Sequence, residues 1–343
     1  MPLANSLTLN VHSAKGHSRN GFGMIARYRI VSSFTALIIC TTAASSVLAQ
    51  EISAPPVELN SPEFYTKYAS ADGYPIVASA QVNDYALREA AFLINMLLAK
   101  RPDVRDAMIK SGSRMCIIGV HEFTTDLPEW KWMGAPSEDN KEAEGVAARD
   151  FWDARARGMG GSETDPFCSC GEENLLNYPG DPYATENILI HEFAHNIHLR
   201  GLVNVDSTFD PRLKAAYQKA MSAGLWKGKY ASVNHHEYFA EGVQSWFDNN
   251  REDAHDHNHV NTREELLDYD PELAAFCREV FRDTELRYTK AITRLDGHMQ
   301  GHDPSTAPTF VWPDRLRHAK GVIQKQATDR NRKSQESGSG PDK

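Results

Sequence analysis

The spacing of hydrophobic and polar residues predicts several helices and few strands. Over residues 83–100, alanine, leucine and methionine recur at i, i+3 and i+4, which indicates an amphipathic helix. A second helix is predicted to begin at Pro102 and to continue to Lys110, because proline favours the first helical turn. The run R-M-C-I-I-G-V at 114–120 predicts a strand. Asp-Pro pairs predict helix starts for 210–223 and 270–281.

The most informative helix is predicted at residues 188–198, which read I-L-I-H-E-F-A-H-N-I-H. Its H-E-x-x-H pattern consists of His191, Glu192 and His195, and residues four apart lie on one face of a helix. Two imidazoles at that spacing can bind one zinc ion, each at about 2.0–2.1 Å. Glu192 can then accept a proton from a water bound there. The alternative is a core helix that carries these residues by chance.

Catalytic zinc commonly has three protein ligands, so a third ligand is expected elsewhere in the chain. The extended pattern H-E-x-x-H-x-x-G-x-x-H fails, because His198 stands where glycine is required and Gly201 where the third histidine is required. A later segment, N-H-H-E-Y-F-A-E-G-V-Q-S-W-F, predicts a helix with Asn234 as its N-cap in a variant of the capping box. Glu237 and Glu241 lie one turn apart on it. One can bind zinc while the other accepts the N–H of a ligand histidine.

Together, H-E-F-A-H and a later Y-x6-E-Y-F-A-E resemble the gluzincin domains of the anthrax lethal factor type, over residues 174–247. The resemblance implies an α+β, mostly helical, zincin-like metallopeptidase domain with a small mixed sheet next to the H-E-x-x-H helix. It also implies one catalytic Zn2+ ion. The residues to which it assigns roles are the zinc ligands His191, His195 and Glu237, the general base Glu192, the oxyanion donor Tyr230 and, supporting the ligands, Glu241.

Three further residues are candidates for substrate contact. Residues 168–176 predict an edge strand, to which a peptide can add, and Asn174 is the proposed contact; a buried connector is the alternative. His198 lies about two turns after His191, so it can support the ligands or touch substrate. His236 can point towards the site or towards the surface.

A histidine-rich loop at 249–262 contains His255, His257 and His259 between acidic and amide residues. Such a loop can bind a second metal or substrate. The alternative is a solvated loop whose polar side chains satisfy the turn backbone.

The N-terminal region predicts export. Residues 1–49 are interpreted as an extension and a secretory signal peptide that begins at Met24, with a basic start, an apolar centre at 34–40 and small residues at 47–49. A membrane anchor is the alternative, but the apolar run is short for a span of about 20 residues. The catalytic domain is predicted at 50–306 and a polar, disordered tail at 307–343. Localisation is thus predicted to be extracellular or periplasmic, without stable membrane insertion after cleavage.

Composition fits one globular enzyme domain. The 343 residues are 41% hydrophobic and 24% charged, and the net charge of -9 argues against a nucleic-acid partner. Cysteines 116, 168, 170 and 277 remain after signal cleavage, an even number that predicts disulfides in an exported protein. We expect Cys168 and Cys170 each to pair with Cys116 or Cys277. A cysteine zinc site is the alternative, although no C-x-x-C spacing is present.

These observations predict a secreted zinc metallopeptidase acting on a peptide or protein substrate. Two other functions stay open: a zinc hydrolase of a glycan-linked or peptidoglycan-linked amide or ester, and a non-catalytic binding module with the same fold.

Overall fold

The computed structural model describes residues 51–136, 143, 145–254, 256–282, 284 and 286–337. The predicted signal peptide and His255 lie outside the described residues. Within the described part of the chain, no helix is both long and apolar enough to cross a membrane.

The fold is α+β, as predicted. The strands are β1 (Lys67–Ala71), β2 (Tyr74–Ala78), β3 (Arg114–Ile118), β4 (Gly158–Met159) and β5 (Phe167–Gly171). The helices are α1 (Asp84–Leu97), α2 (Pro102–Lys110), α3 (Ala148–Arg155), α4 (Glu172–Leu175), α5 (Ile188–Asn196), α6 (Val203–Val205), α7 (Phe209–Ser222), α8 (His235–Trp246), α9 (Arg263–Tyr269), α10 (Pro271–Phe281) and α11 (Arg317–Ser337). A π-helical turn, Ile197–Leu202, directly continues α5.

The predicted elements α1, α2 and β3 are confirmed, with ends within a few residues of the expected positions. Asp270 caps α10 as predicted, and its side chain accepts a hydrogen bond from the Leu273 amide at 3.0 Å. Asp210 is not a cap, because α7 begins one residue earlier at Phe209. Its carboxylate is therefore available to other partners.

One mixed sheet positions the H-E-x-x-H helix. The strand order is β1-β2-β3-β5-β4, with β2, β3 and β5 parallel and the two outer pairs antiparallel. All residues of β2 and β3 are buried, as expected for strands covered on both faces. Helix α5 packs between this sheet and α8, and its Phe193 and Ala194 are fully buried.

The sheet edge differs from the prediction. Strand β5 lies inside the sheet, and the edge next to it is β4, which lies in the glycine-rich segment 158–161. A Cβ atom on Gly158 would lie 2.4 Å from Ile188 Cγ2, and one on Gly160 would lie 2.4 Å from His195 Cδ2. These glycines are needed because this segment runs directly against α5.

The predicted disulfides are not formed. All four cysteines of the described residues are free and buried. In the sheet, Cys116 is paired in register with Ser169, so its side chain points to the opposite face from Cys168 and Cys170. Cys277 lies on α10. Since a disulfide requires facing Cβ atoms, Cys116 cannot bond to either cysteine of β5 in this arrangement.

Structure continues into the predicted tail. Helix α11 covers Arg317–Ser337, and Phe310, Leu316 and Ala319 are buried before it and in its first turn. Leu316 and Ala319 pack in a small apolar cluster with Phe123. The apolar residues among the polar ones thus anchor this segment.

Candidate metal centre

Helix α5 places two histidines next to each other. Its N-terminus is capped by Asn187, whose side chain accepts a hydrogen bond from the Ile190 amide at 3.2 Å. The Nε2 atoms of His191 and His195, one turn apart, are separated by 3.3 Å. Both rings are buried, with exposed fractions of 8% and 7%.

Helix α8 brings a carboxylate to these rings. Asn234 is its N-cap, as predicted, and accepts hydrogen bonds from the amides of His236 and Glu237 at 2.8 and 2.9 Å. Glu237 Oε2 lies 3.1 Å from His191 Nε2 and 3.3 Å from His195 Nε2. Burial raises the pKa of Glu237, but the two histidines outweigh it and hold the pKa well below its usual range.

The three donor atoms fit a zinc ion. A tetrahedral site with bonds of about 2.0–2.1 Å has ligand atoms about 3.3–3.4 Å apart. The triangle formed by His191, His195 and Glu237 has sides of 3.1 to 3.3 Å. Two imidazoles and one carboxylate are also a common ligand set of catalytic zinc, in which the fourth position is left for water or substrate.

A glutamine orients the first ligand. Gln244 Oε1 lies 2.8 Å from His191 Nδ1, closer than Glu241 Oε1 at 3.5 Å. The Gln244 amide donates to Glu186 Oε2 at 3.2 Å, which directs its oxygen towards the ring. No prediction from the sequence included Gln244, because its contact with His191 depends on how α8 packs against α5.

Glu241 supports His191 and has its own buried partner. His257 Nε2 lies 3.1 Å from Glu241 Oε2, and His257 Nδ1 lies 2.9 Å from Asp256 Oδ1. Burial lowers the pKa of His257, but the charges of Glu241 and Asp256 outweigh it and raise the pKa to about 9. The imidazolium therefore neutralises Glu241. Of the predicted histidine loop, His257 is buried in this network and His259 is exposed.

Tyr230 lies in a short 3-10 turn before α8. Its ring centroid is 6.0 Å from that of His191, and its backbone N–H donates to the Asp256 carbonyl at 2.8 Å. Burial, together with the charges of Glu237 and Glu192, raises the pKa of Tyr230 well above its usual range. The hydroxyl therefore stays protonated and can donate a hydrogen bond.

The three candidate ligands line one cleft of about 780 Å³ together with Tyr230, Glu241 and Glu192. Burial raises the pKa of Glu192, although His191 and His195 act against this effect. A carboxylate with a raised pKa is suited to accept and return a proton near neutral pH. The cleft walls also include Trp152, Arg155, Met159, Tyr183 and Arg251.

The three residues predicted to contact substrate differ in their exposure to the cleft. Asn174 is fully buried, which corrects its predicted contact with substrate. Its amide donates to Asp181 Oδ2 at 3.0 Å and its oxygen accepts from the Ile188 amide at 2.7 Å, so it secures the start of α5. His198 is also buried and bonds to Asp210. His236 is half-buried and lines the cleft.

The sequence matches no protein-family model and no curated protein. Among solved structures, the fold is similar to a Pro-Pro endopeptidase from Paenibacillus alvei, with 19% sequence identity and a TM-score of 0.41. That match covers 60% of this chain and 97% of the endopeptidase chain. The resemblance to gluzincins of the lethal factor type stays a prediction.

Proposed function

We propose that the protein is a zinc-dependent metallopeptidase. The observation that carries the proposal is the triangle of His191, His195 and Glu237, whose donor atoms have the separations of a tetrahedral zinc site and face a cleft. A second glutamate, Glu192, lies in the same cleft and is not part of that triangle. A structural zinc site has four protein ligands and no use for a base, so this arrangement favours catalysis.

The chain's own residues account for the proton transfers. When bound, zinc supplies a Lewis acid that polarises a carbonyl and lowers the pKa of water to about 7. Glu192 accepts a proton from the attacking water and passes it to the leaving amine. The protonated hydroxyl of Tyr230 donates to the developing substrate oxyanion. Gln244 accepts from Nδ1 of His191, and Glu241 lies 3.5 Å from the same nitrogen, which leaves Nε2 free to bind the metal.

Peptides are the proposed substrate class, and we propose that the protein acts after export, as residues 24–49 indicate. An edge strand, β4, borders the cleft, and a peptide backbone can pair with such an edge. A non-protein amide or ester is the alternative substrate. An experiment distinguishes the two substrate classes, because the alternative predicts hydrolysis of glycan-linked or peptidoglycan substrates and none of peptides.

The proposal is tested with the zinc-loaded protein and a proteome-derived peptide library, with products identified by mass spectrometry. Glu192→Gln is the control, because it keeps the three ligands and removes the base. We expect cleavage by the wild type and a loss of about 10²–10⁴-fold in Glu192→Gln at equal zinc content. Cleavage at the wild-type rate by zinc-loaded Glu192→Gln would contradict the mechanism. A zinc-loaded wild type inactive on all substrates would indicate a binding module.

A further inference from the structure

Three histidines and an aspartate form a second cluster beside the candidate zinc site. His198 lies in the π-helical turn that continues α5, Asp210 in the first turn of α7, and His235 and His236 in the first turn of α8. His198 is three residues after His195, and His236 directly precedes Glu237. The same two helical segments therefore contribute to both groups of side chains.

The cluster is compact. Asp210 Oδ1 lies 3.0 Å from His198 Nε2 and 2.9 Å from His235 Nε2. The ring centroid of His236 is 5.3 Å from that of His198. One donor atom each from His198, Asp210 and His236 fall within 4.8 Å of one another. The contact between Asp210 and His198 is as short as the 3.1–3.3 Å separations of the first site.

Hydrogen bonds alone do not satisfy this cluster. His198 is fully buried, and its second ring nitrogen, Nδ1, has no hydrogen-bond partner in the described part of the chain. A buried polar atom without a partner is uncommon and costs stability. His236 is half-buried and lines the cleft, so an ion can reach its ring from the solvent.

We propose that His198, Asp210 and His236 form a second binding site for a divalent transition metal such as zinc. Two imidazoles and one carboxylate favour zinc, cobalt or nickel over calcium and magnesium, which prefer oxygen ligands only. An ion bound there links the end of α5 to the starts of α7 and α8, so it stabilises the folded state by mass action.

The test counts zinc and measures thermal unfolding while free zinc is raised stepwise over the wild-type holoprotein. Asp210→Asn removes the carboxylate ligand. Asp206→Asn is the matched control, since Asp206 is also a half-exposed carboxylate near the start of α7 and pairs with Arg212. We expect two zinc equivalents in the wild type and in Asp206→Asn, and one in Asp210→Asn. The second equivalent should raise Tm in the wild type and in Asp206→Asn, and not in Asp210→Asn.

His236→Gln provides an independent variant in case Asp210→Asn does not fold, and it should also retain one equivalent. A wild type that binds a single equivalent, which Asp210→Asn and His236→Gln both retain, would overturn the proposal. So would two equivalents in both Asp210→Asn and His236→Gln, because the second ion would then lie elsewhere. Zinc counting requires no peptidase activity, so a protein that binds both ions without cleaving peptides would support this second site and contradict only the proposed hydrolysis.

Discussion

Nδ1 of His191 lies 2.8 Å from Oε1 of Gln244, two turns along α8 from the glutamate that approaches the other side of the same ring. An amide oxygen can only accept, so this contact places the proton of His191 on Nδ1 and leaves Nε2 with a lone pair. The bond from Gln244 to Glu186 prevents the amide from presenting its nitrogen instead. An uncharged side chain thereby selects the tautomer that binds metal.

Replacing Gln244 should therefore weaken the zinc site. We expect Gln244→Ala to lower zinc affinity about 10–100-fold, as the loss of a group that orients a ligand does. Competition with a chelator of known affinity measures this. Gln218→Ala, the same substitution at an exposed position of α7, is the control and should bind zinc like the wild type. Equal affinity in the two variants would show that Gln244 does not orient His191.

The two glutamates of α8 should behave differently. Glu237→Ala removes a proposed ligand and should lose zinc during dialysis. Glu241→Ala should keep zinc with an affinity about 10–100-fold lower, because it removes a support of His191 and leaves the ligands in place. Metal content after dialysis distinguishes them. If Glu241→Ala lost zinc and Glu237→Ala kept it, the third ligand would be Glu241, one turn further along α8.

Tyr230→Phe should lower kcat about 10²–10³-fold with little change in KM, because it removes one donor to the oxyanion. Zinc content and thermal stability should stay at wild-type values. Tyr217→Phe is the control: this tyrosine of α7 also loses a hydroxyl, which donates to the Ser232 carbonyl at 2.7 Å, but it does not line the cleft. An unchanged kcat in Tyr230→Phe would exclude a role in catalysis.

His257 should make the free energy of unfolding depend on pH. Its folded-state pKa of about 9 is above the unfolded value of about 6.5. Its stabilising effect is therefore complete below about pH 6.5 and is lost as the pH rises through about 9. Denaturant unfolding between these values should show a falling stability in the wild type and a flatter dependence in His257→Gln. Parallel curves would mean that His257 is not charged beside Glu241 and Asp256.

Local features of the sequence were enough to predict part of this protein. The spacing of His191 and His195 is a property of α5 alone, and the cap at Asn234 is a property of α8 alone. Each feature can therefore be predicted from the local sequence. Gln244 could not be predicted in this way. Its role depends on how α8 packs against α5, and nothing in its own helix distinguishes it from a buried polar residue.

The cysteines illustrate a second limit. An even number in an exported chain favours pairing, but the alternation of side chains along β3 and β5 decides whether the sulfurs can meet. That depends on register: Cys116 stands opposite Ser169, not opposite a cysteine. Strand register is a tertiary property, so counting residues could not supply it.

The close contact between the edge strand and α5 limits how this cleft can evolve. At Gly158 and Gly160 any larger residue would collide with Ile188 or His195, so that side of the cleft cannot acquire new side chains without displacing a ligand helix. Changes in selectivity must then arise at other residues that line the cleft, such as Trp152 and Arg155. Libraries made to redirect the protein to new substrates should vary those residues and keep the glycines invariant.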